Sequence, residues 1–415
     1  MSNIFDTTYA EQCALSRIRN TWVKIQLLDS SYNAIDTLEG ICTESSIIMQ
    51  NNIGDNNIQE YSSFNRLSGS ITFVLTKTLA TNYFEDAPNS RIRIVAIVED
   101  VPTEIVTEYN LGICIIGSST ITRSANSSDG CTIQLELLDL FSLYNGDLGG
   151  SLESQYSISA SSDSPVTLVT LLNTIFLDMG LTNDYISIES NLLTIQQDIT
   201  ADVGSNYTDI LKTIMELYLG YELFFDRDGI LTYRKIKSRT SDSTIRDMVD
   251  DDTITSYKYT KKDTNIRNYI IIYGATSTSS DTDETTYQYN AYASLQGTNH
   301  PFSVDNIGRR IKTISDETQS NYAYCLSEAE YYLDLYTNYA ESVEISMLPD
   351  FRLIPNRVIS IIYEDDYIPS GVINGKFLIN SVNFSLKQGD LATITVTKLY
   401  DTVINSTDII TGKVS

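Results

Sequence analysis

The feature that most constrains this chain is a block of four strand-like segments that occurs twice. The first copy reads GSITFVL (69–75), RIRIVAIVED (91–100), LGICIIGSSTI (111–121) and CTIQLELLD (131–139). The second reads ESVEISML (341–348), NRVISIIYED (356–365), NGKFLINSVNF (374–384) and ATITVTKLY (392–400). Gly112 falls on Gly375, Ile116 on Ile379 and Ser118 on Ser381, and the final strand slips by only two residues. In the first copy Ile133, Leu135 and Leu137 share one face while Thr132, Gln134 and Glu136 share the other. In the second, Ile394 and Val396 oppose Thr393, Thr395 and Thr397. This period of two predicts a sheet with one buried and one wet face. A β-module carried twice is expected to serve one job in one assembly.

The flanking regions read differently. Residues 8–18 suggest a short helix, followed by a strand at 21–29, a turn at Ser30–Asn33 and a second strand ending near Gly40. The stretch 50–66 is a polar loop by composition. Between the copies, Leu168, Leu171, Leu172, Ile175 and Met179 recur at helical spacing, and Gly180 closes that helix. A second helix carries Ile210, Leu211, Ile214 and Leu217 and ends at Gly220. A hairpin at 221–236 follows, with Asp228-Gly229 at its turn. Residues 275–299 read as a long loop poor in aliphatics. A third helix over 320–337 places Tyr322, Leu326, Ala329, Leu333 and Tyr336 on one stripe, with Glu328, Glu330 and Asp334 largely away from it.

Composition removes whole classes of function. The 28 Lys and Arg against 54 Asp and Glu give a net charge of −26. Such a surface repels duplex DNA and anionic membranes unless a basic patch intervenes. KYTKK (258–262) is the densest basic stretch, and it is short. No apolar run approaches the roughly 20 residues that span a bilayer. The N-terminus, MSNIFDTTYAEQ, has neither basic region nor apolar core, so synthesis and folding in a cytoplasm are expected. Cys13, Cys42, Cys114, Cys131 and Cys325 lie far apart, which fits neither a zinc cluster nor a disulfide framework. Cys114 and Cys131 sit inside strand patterns and read as core residues.

Catalytic candidates are few. A Ser or Cys nucleophile normally needs a histidine base. His300 is the sole histidine, and beside Pro301 in a polar loop it reads as solvent-exposed. The acidic runs Asp250–Asp252 and Asp365-Asp366 read as solvated charge without the aromatic frame of a glycosidase. Asp226-Arg227-Asp228-Gly229 resembles a fragment of a calcium loop, but its glycine falls at position four and position twelve is Lys237. The hairpin-turn reading is preferred there. The expectation is no catalytic, cofactor-binding or metal site. The 28 tyrosines point to protein interfaces, with sugar stacking as the alternative use.

Four stretches carry a family resemblance in combination. They are the hairpin GYELFFDRDGILTYRKI after an amphipathic helix, TSYKYTKKDTNIRNYIIIYG (255–274), NIGRRIKTISDETQ (306–319) ahead of a helix, and the closing strand pair NGKFLINSVNFSLKQGDLATITVTKL. Together they resemble the baseplate hub proteins of contractile phage tails and related particles, the late-control-D family. The tail-tip proteins of long-tailed siphophages share the N-terminal architecture. The resemblance implies a mainly β fold with two duplicated tube-type β-barrel domains and a small α+β middle module. It sets an N-terminal helix and first barrel at 1–145, the middle module at 146–245, the second barrel at 246–400 with loop 275–299 and helix 320–337, and a polar tail at 401–415. It further implies a homotrimer in the tail tip of the virion, presenting six quasi-equivalent modules. Its expected partners are the tail tube protein, a spike or tail-tip protein, the tape measure protein and baseplate wedge components, with DNA passing through unbound. Some relatives carry a spike, lysozyme or peptidase domain after the hub region; here the chain stops soon after its last strand, so such activity is expected on a partner. The alternative is a siphophage tail-tip protein that binds or cleaves glycans.

Overall fold

A computed structural model describes residues 9–414 apart from 41, 52–63, 65, 77–89, 123–129, 162, 196, 237–241, 250–252, 262, 279–284, 288, 317–320, 339–340, 365–371 and 400–407. Both copies of the repeat belong to one 13-stranded sheet. From the N-terminal part come β1 (Arg19–Leu28), β2 (Ala34–Gly40), β3 (Cys42–Gln50), β4 (Leu67–Thr76), β5 (Arg91–Asp100), β6 (Ile105–Thr122) and β7 (Gly130–Leu138). From the C-terminal part come β8 (Thr244–Val249), β9 (Ile254–Lys261), β10 (Glu341–Met347), β11 (Val358–Glu364), β12 (Val372–Phe384) and β13 (Ala392–Leu399). The strand order is β9-β10-β13-β12-β3-β4-β7-β6-β5-β1-β2, with β11 also paired to β12 and β8 to β11. The expected mainly β architecture is what forms, and the two copies share one apolar core, from Ile71 and Leu135 to Ile345 and Ile394.

The copies match in backbone detail. Gly112 and Gly375 have φ of 144° and 143°, a region that L side chains rarely adopt. A bulge interrupts the register between Ile116 and Ser118 in β6, and another between Ile379 and Ser381 in β12. The flanking strands differ from the sequence alignment, which sets Ile94 on Ile359 and Leu135 on Val396. Ile94 lies opposite Gly112 and Ile361 opposite Gly375, so Ile94 corresponds to Ile361. Leu135 lies opposite Ser119 and Ile394 opposite Val382, so Leu135 corresponds to Ile394. Each strand moves by two residues and keeps its faces, because a pattern of period two cannot tell such registers apart.

The middle module folds as expected from its periodicity. Helix α2 (Leu168–Asp178, after the N-terminal α1 at Ala10–Leu15) is capped by Thr167, whose Oγ1 accepts from Thr170 N at 3.2 Å. Helix α3 (Tyr207–Leu217) opens on an Asn206/Asp209 capping box. Both helices bury their apolar stripe in one core with the hairpin Tyr221–Phe225/Leu231–Lys235, a core that also takes in Ile113 and Ile115 of β6.

Three segments depart from expectation. Within the stretch read as loop 275–299, Asn290–Leu295 is a strand. Its partners are Tyr269–Tyr273 and Ile409–Gly412, the latter lying inside the stretch read as a polar tail. With Ile311–Ser315 these make a separate four-stranded sheet that packs on helix α4 (Tyr322–Asn338). Ala291 and Ala293 form the buried face beneath Cys325, Ala329 and Leu333. Alanine is depleted in strands, so it hides a strand from propensity reasoning even where a helix must approach closely. Helix α4 also buries Glu328, read from the sequence as pointing away. Its carboxyl is pushed up to about 8, by burial first and then by Asp316 and Glu216 nearby.

Candidate functional site

The sequence candidates for chemistry stay apart. His300 is buried, correcting the expectation of an exposed loop residue. Its Nδ1 accepts a hydrogen bond from Phe302 N at 3.1 Å, and its ring meets the Phe302 ring edge-on. Burial lowers its pKa to about 4, so it stays neutral in the folded protein at physiological pH. The acidic runs Asp250–Asp252 and Asp365-Asp366 lie outside the described residues. Among the described residues, no three His, Cys, Asp or Glu side chains gather as a metal ion needs. All five cysteines are buried thiols.

Asp226-Arg227-Asp228-Gly229 forms a tight turn, with Asp226 Oδ1 accepting from Asp228 N and Ile230 N at 2.9 Å each. Its tip is wedged between the two copies. Asn110 Nδ2 on β6 donates to Arg227 O and to Asp228 Oδ1 at 2.8 Å each. The Arg227 guanidinium reaches the other way, donating to Phe351 O at 2.6 Å and Leu353 O at 3.0 Å. A second polar cluster lies beside it. Glu222 receives Arg66 Nη1 at 2.8 Å, Arg234 Nε at 2.5 Å and Asn356 Nδ2 at 2.5 Å. Burial alone would raise the Glu222 carboxyl, but the two arginines and Asn356 hold it below the ordinary carboxylate range. Arg66 also donates to Pro355 O at 2.6 Å and stacks over the Phe224 ring at 3.8 Å. The first copy, the hairpin and the second copy thus meet on buried charge. A cleft of about 580 Å³ opens here, but Arg66 and Arg234 on its wall already serve Glu222.

The geometry that bears on function is the sheet itself. The wet face predicted for each copy becomes one surface crossing from copy to copy. One row runs Ser46, Ser70, Glu136, Ser118. Its counterpart runs Lys258, Glu344, Thr395, Ser381. The rows are knitted where Ser46 Oγ donates to Asn383 Oδ1 at 3.1 Å. Of the eight residues in these rows, five carry hydroxyls, two are glutamates and one is a lysine.

The copies join edge to edge through β3, a strand the sequence reading did not identify because a bulge after Cys42 breaks the alternation of its buried residues Cys42, Ile47 and Met49. β13 holds one edge of β12 over Lys376–Asn383, which leaves β11 and β3 in series on the other. There Phe384 lies opposite Ile47 and Val382 opposite Met49, and all four are buried. Asn51 N reinforces the seam by donating to Asn380 O at 2.8 Å. Among the described residues, the corresponding end of β6 has no such neighbour. β5 ends its pairing at Ile115, and Ser118–Thr122 pair only with β7 among the described residues. Ile121, the counterpart of Phe384, is 42% exposed. Strand β9, the counterpart of β3, likewise pairs only with β10 among the described residues.

No protein-family model and no curated protein sequence matches the chain. Solved structures do. A 43 kDa tail protein of prophage MuSo2 from Shewanella oneidensis has 13% identity and a TM-score of 0.58, covering 91% of this chain and 98% of its own. A tail protein from Neisseria meningitidis MC58 has 12% identity and a TM-score of 0.59, covering 91% of this chain and 97% of its own. Prophage tail protein gp18 from Listeria monocytogenes EGD-e has 13% identity and a TM-score of 0.51, covering 93% of this chain and 96% of its own. At such identities the likeness establishes architecture, and it runs nearly end to end in both directions. The chain shares the fold of these tail proteins.

Proposed function

We propose that this chain is a structural hub of a phage or phage-like tail tip, acting as a trimer in which three chains present six similar β-modules. The duplication is then a symmetry adaptor. Six modules match a hexameric tail tube on one side, and three chains match a three-fold spike on the other. The observation that carries the reading is the backbone identity of the copies: the paired positive φ at Gly112 and Gly375 and the paired bulges beyond them. Two modules this alike inside one chain can occupy alternating positions of one ring.

The hydroxyl face is the surface assigned to the channel. Ser and Thr hydrogen-bond to water and to one another, and the single lysine in the rows above, Lys258, sits directly opposite Glu344. Passing DNA meets few fixed cations, and screening confines the remaining carboxylates to about 8 Å. The role is that of a non-stick conduit, with DNA, tube, spike, tape measure and wedge proteins as neighbours and the virion tail as its place. The test is the symmetry of the purified particle, for which a three-fold ring with six lobes is expected.

A further inference from the structure

We propose that the contact between helix α4 and the middle module is a pH-sensitive joint, closed while the Glu328 side chain is protonated and loosened when it gives up its proton. The joint belongs to the single chain and does not depend on the ring.

Helix α4 faces two ways. Its stripe of Cys325, Ala329 and Leu333 packs on the small sheet, which offers Ile270, Ile272, Ala291 and Ala293, none of them titratable. The adjacent stripe of Tyr324, Glu328 and Tyr331 recurs at i, i+4 and i+7, so it lies on one face of the helix. That face meets the end of α3 and the chain just beyond it. The Tyr324 ring meets the Tyr218 ring edge-on, with centroids 5.9 Å apart. The Tyr331 ring packs on Gly220, where an added Cβ would lie 3.3 Å from it. Glu328 falls between the two tyrosines and faces the charge of Glu216 on α3.

A carboxyl in that place is stable only when neutral. Glu328 is 5% exposed, and its Oε2 has no hydrogen-bond partner among the described residues. Ionising it would leave a desolvated anion with no donor to hold it. Two more carboxyls face it, Glu216 and Asp316, the latter directly after the strand Ile311–Ser315. Lys212 lies 3.9 Å from Glu216, but its side chain is 48% exposed, so solvent screens much of its charge. Lys413 sits over the Tyr322 ring at the start of α4. Burial, helped by Glu328 and Asp316, keeps the neighbouring Cys325 thiol protonated. Burial first, then Asp316 and Glu216, push the Glu328 carboxyl up to about 8. The sign follows from linkage. The contribution to the closed joint is full below the value of a solvated glutamate, about 4.3, and is lost as pH rises through the folded value. One proton leaves per opening, so between these limits the opening equilibrium rises about tenfold per pH unit.

Hydrogen exchange of the full chain, read by mass spectrometry as protection factors, tests the joint. A helix draws most of its stability from packing, so α4 opens more often when it loses one of its two supports. Protection across Tyr322–Asn338 should fall about tenfold from about pH 6.5 to 7.5, while β7 keeps its own. Glu328→Gln has the shape of the protonated acid and should reduce that fall to under about threefold. Glu216→Gln removes one of the charges that hold the proton on, so the fall should level off at lower pH. The joint is overturned by a wild-type fall no larger in α4 than in β7. It is equally overturned by a Glu328→Gln fall as steep as wild type, or by a Glu216→Gln profile that coincides with wild type.

Discussion

The two copies of the repeat share a long bent strand, and they differ in what its far end touches. In the second copy that end lies against β3, with Val382 and Phe384 fully buried. In the first copy the same positions are Ser119 and Ile121, and both face solvent. The near ends differ too. β5 is flanked by β1 in antiparallel fashion, whereas β11 is flanked by β8 in parallel. The shared backbone therefore specifies the module, and the unshared edges specify where each module sits. A chain with two identical edges would polymerise without preference for position; this one joins β12 to β3 internally.

The largest expected consequence separates the two strand ends. Phe384→Ala should cost about 3–5 kcal/mol of folding stability, the usual cost of emptying a well-packed aromatic site. Ile121→Ala should stay within about 0.5 kcal/mol in the separated chain, since its site is half open. Denaturant titration of both variants checks this, and equal losses would erase the distinction between the buried and the exposed strand end.

Buried acids offer a second contrast. Asp350 follows β10 and lies between Arg246 and Arg352, each with a nitrogen 2.8 Å from its Oδ2. Burial would raise its carboxyl, but the Arg352 hydrogen bonds and both guanidinium charges hold it below the ordinary range. Asp139 follows β7 and caps backbone N–H groups of Arg66, Leu67 and Phe141, with no ion pair among the described residues, and burial leaves it raised. The signs follow from linkage. A depressed folded value gives stability that is present above the unfolded pKa of about 4 and is lost as pH falls through the folded value. A raised one gives stability present below that unfolded pKa and lost as pH rises through the folded value. Asp350→Asn should thus cost about 3–5 kcal/mol at neutral pH by stranding Arg246, and progressively less in acid. Asp139→Asn should cost about 1 kcal/mol, with the difference growing toward low pH. Melting curves across the acid range decide between this and a common response.

The smallest contrast concerns the paired glycines. Both sit at positive φ, so alanine is strained at either. A Cβ on Gly112 would come within 2.6 Å of Leu67 Cδ2, whereas one on Gly375 would meet only the Lys398 Cε at 3.4 Å. Gly112→Ala should therefore cost about 2–3 kcal/mol and Gly375→Ala about 1 kcal/mol. Reversal of that order would show that the two bends are not supported as described.

Much of this was legible in the sequence for a physical reason. Strands with one wet face announce themselves by period two, and Ile133, Leu135 and Leu137 did so on β7. The same periodicity concealed the register, which is why both flanking strands sit two residues from their alignment. The hidden elements were those whose core contacts are small or few: β3, known only by Cys42, Ile47 and Met49, and Asn290–Leu295, known only by alternating alanines and a leucine. His300 and Glu328 were misjudged because a polar side chain says nothing of burial until the neighbouring segments are in place. The Arg66–Glu222–Arg234 cluster was half legible: the hairpin sets Glu222 opposite Arg234, but Arg66 lies 156 residues from Glu222 and joins them only on folding.

The central claim is that two modules in each of three chains make one ring. The most direct measurement is an axial image of the purified particle by electron microscopy, with its mass in solution. The account predicts three chains of 46.5 kDa each around a central channel, with six similar lobes and true three-fold symmetry. A monomer, a two-fold dimer, or a trimer whose modules do not lie in one ring would contradict it.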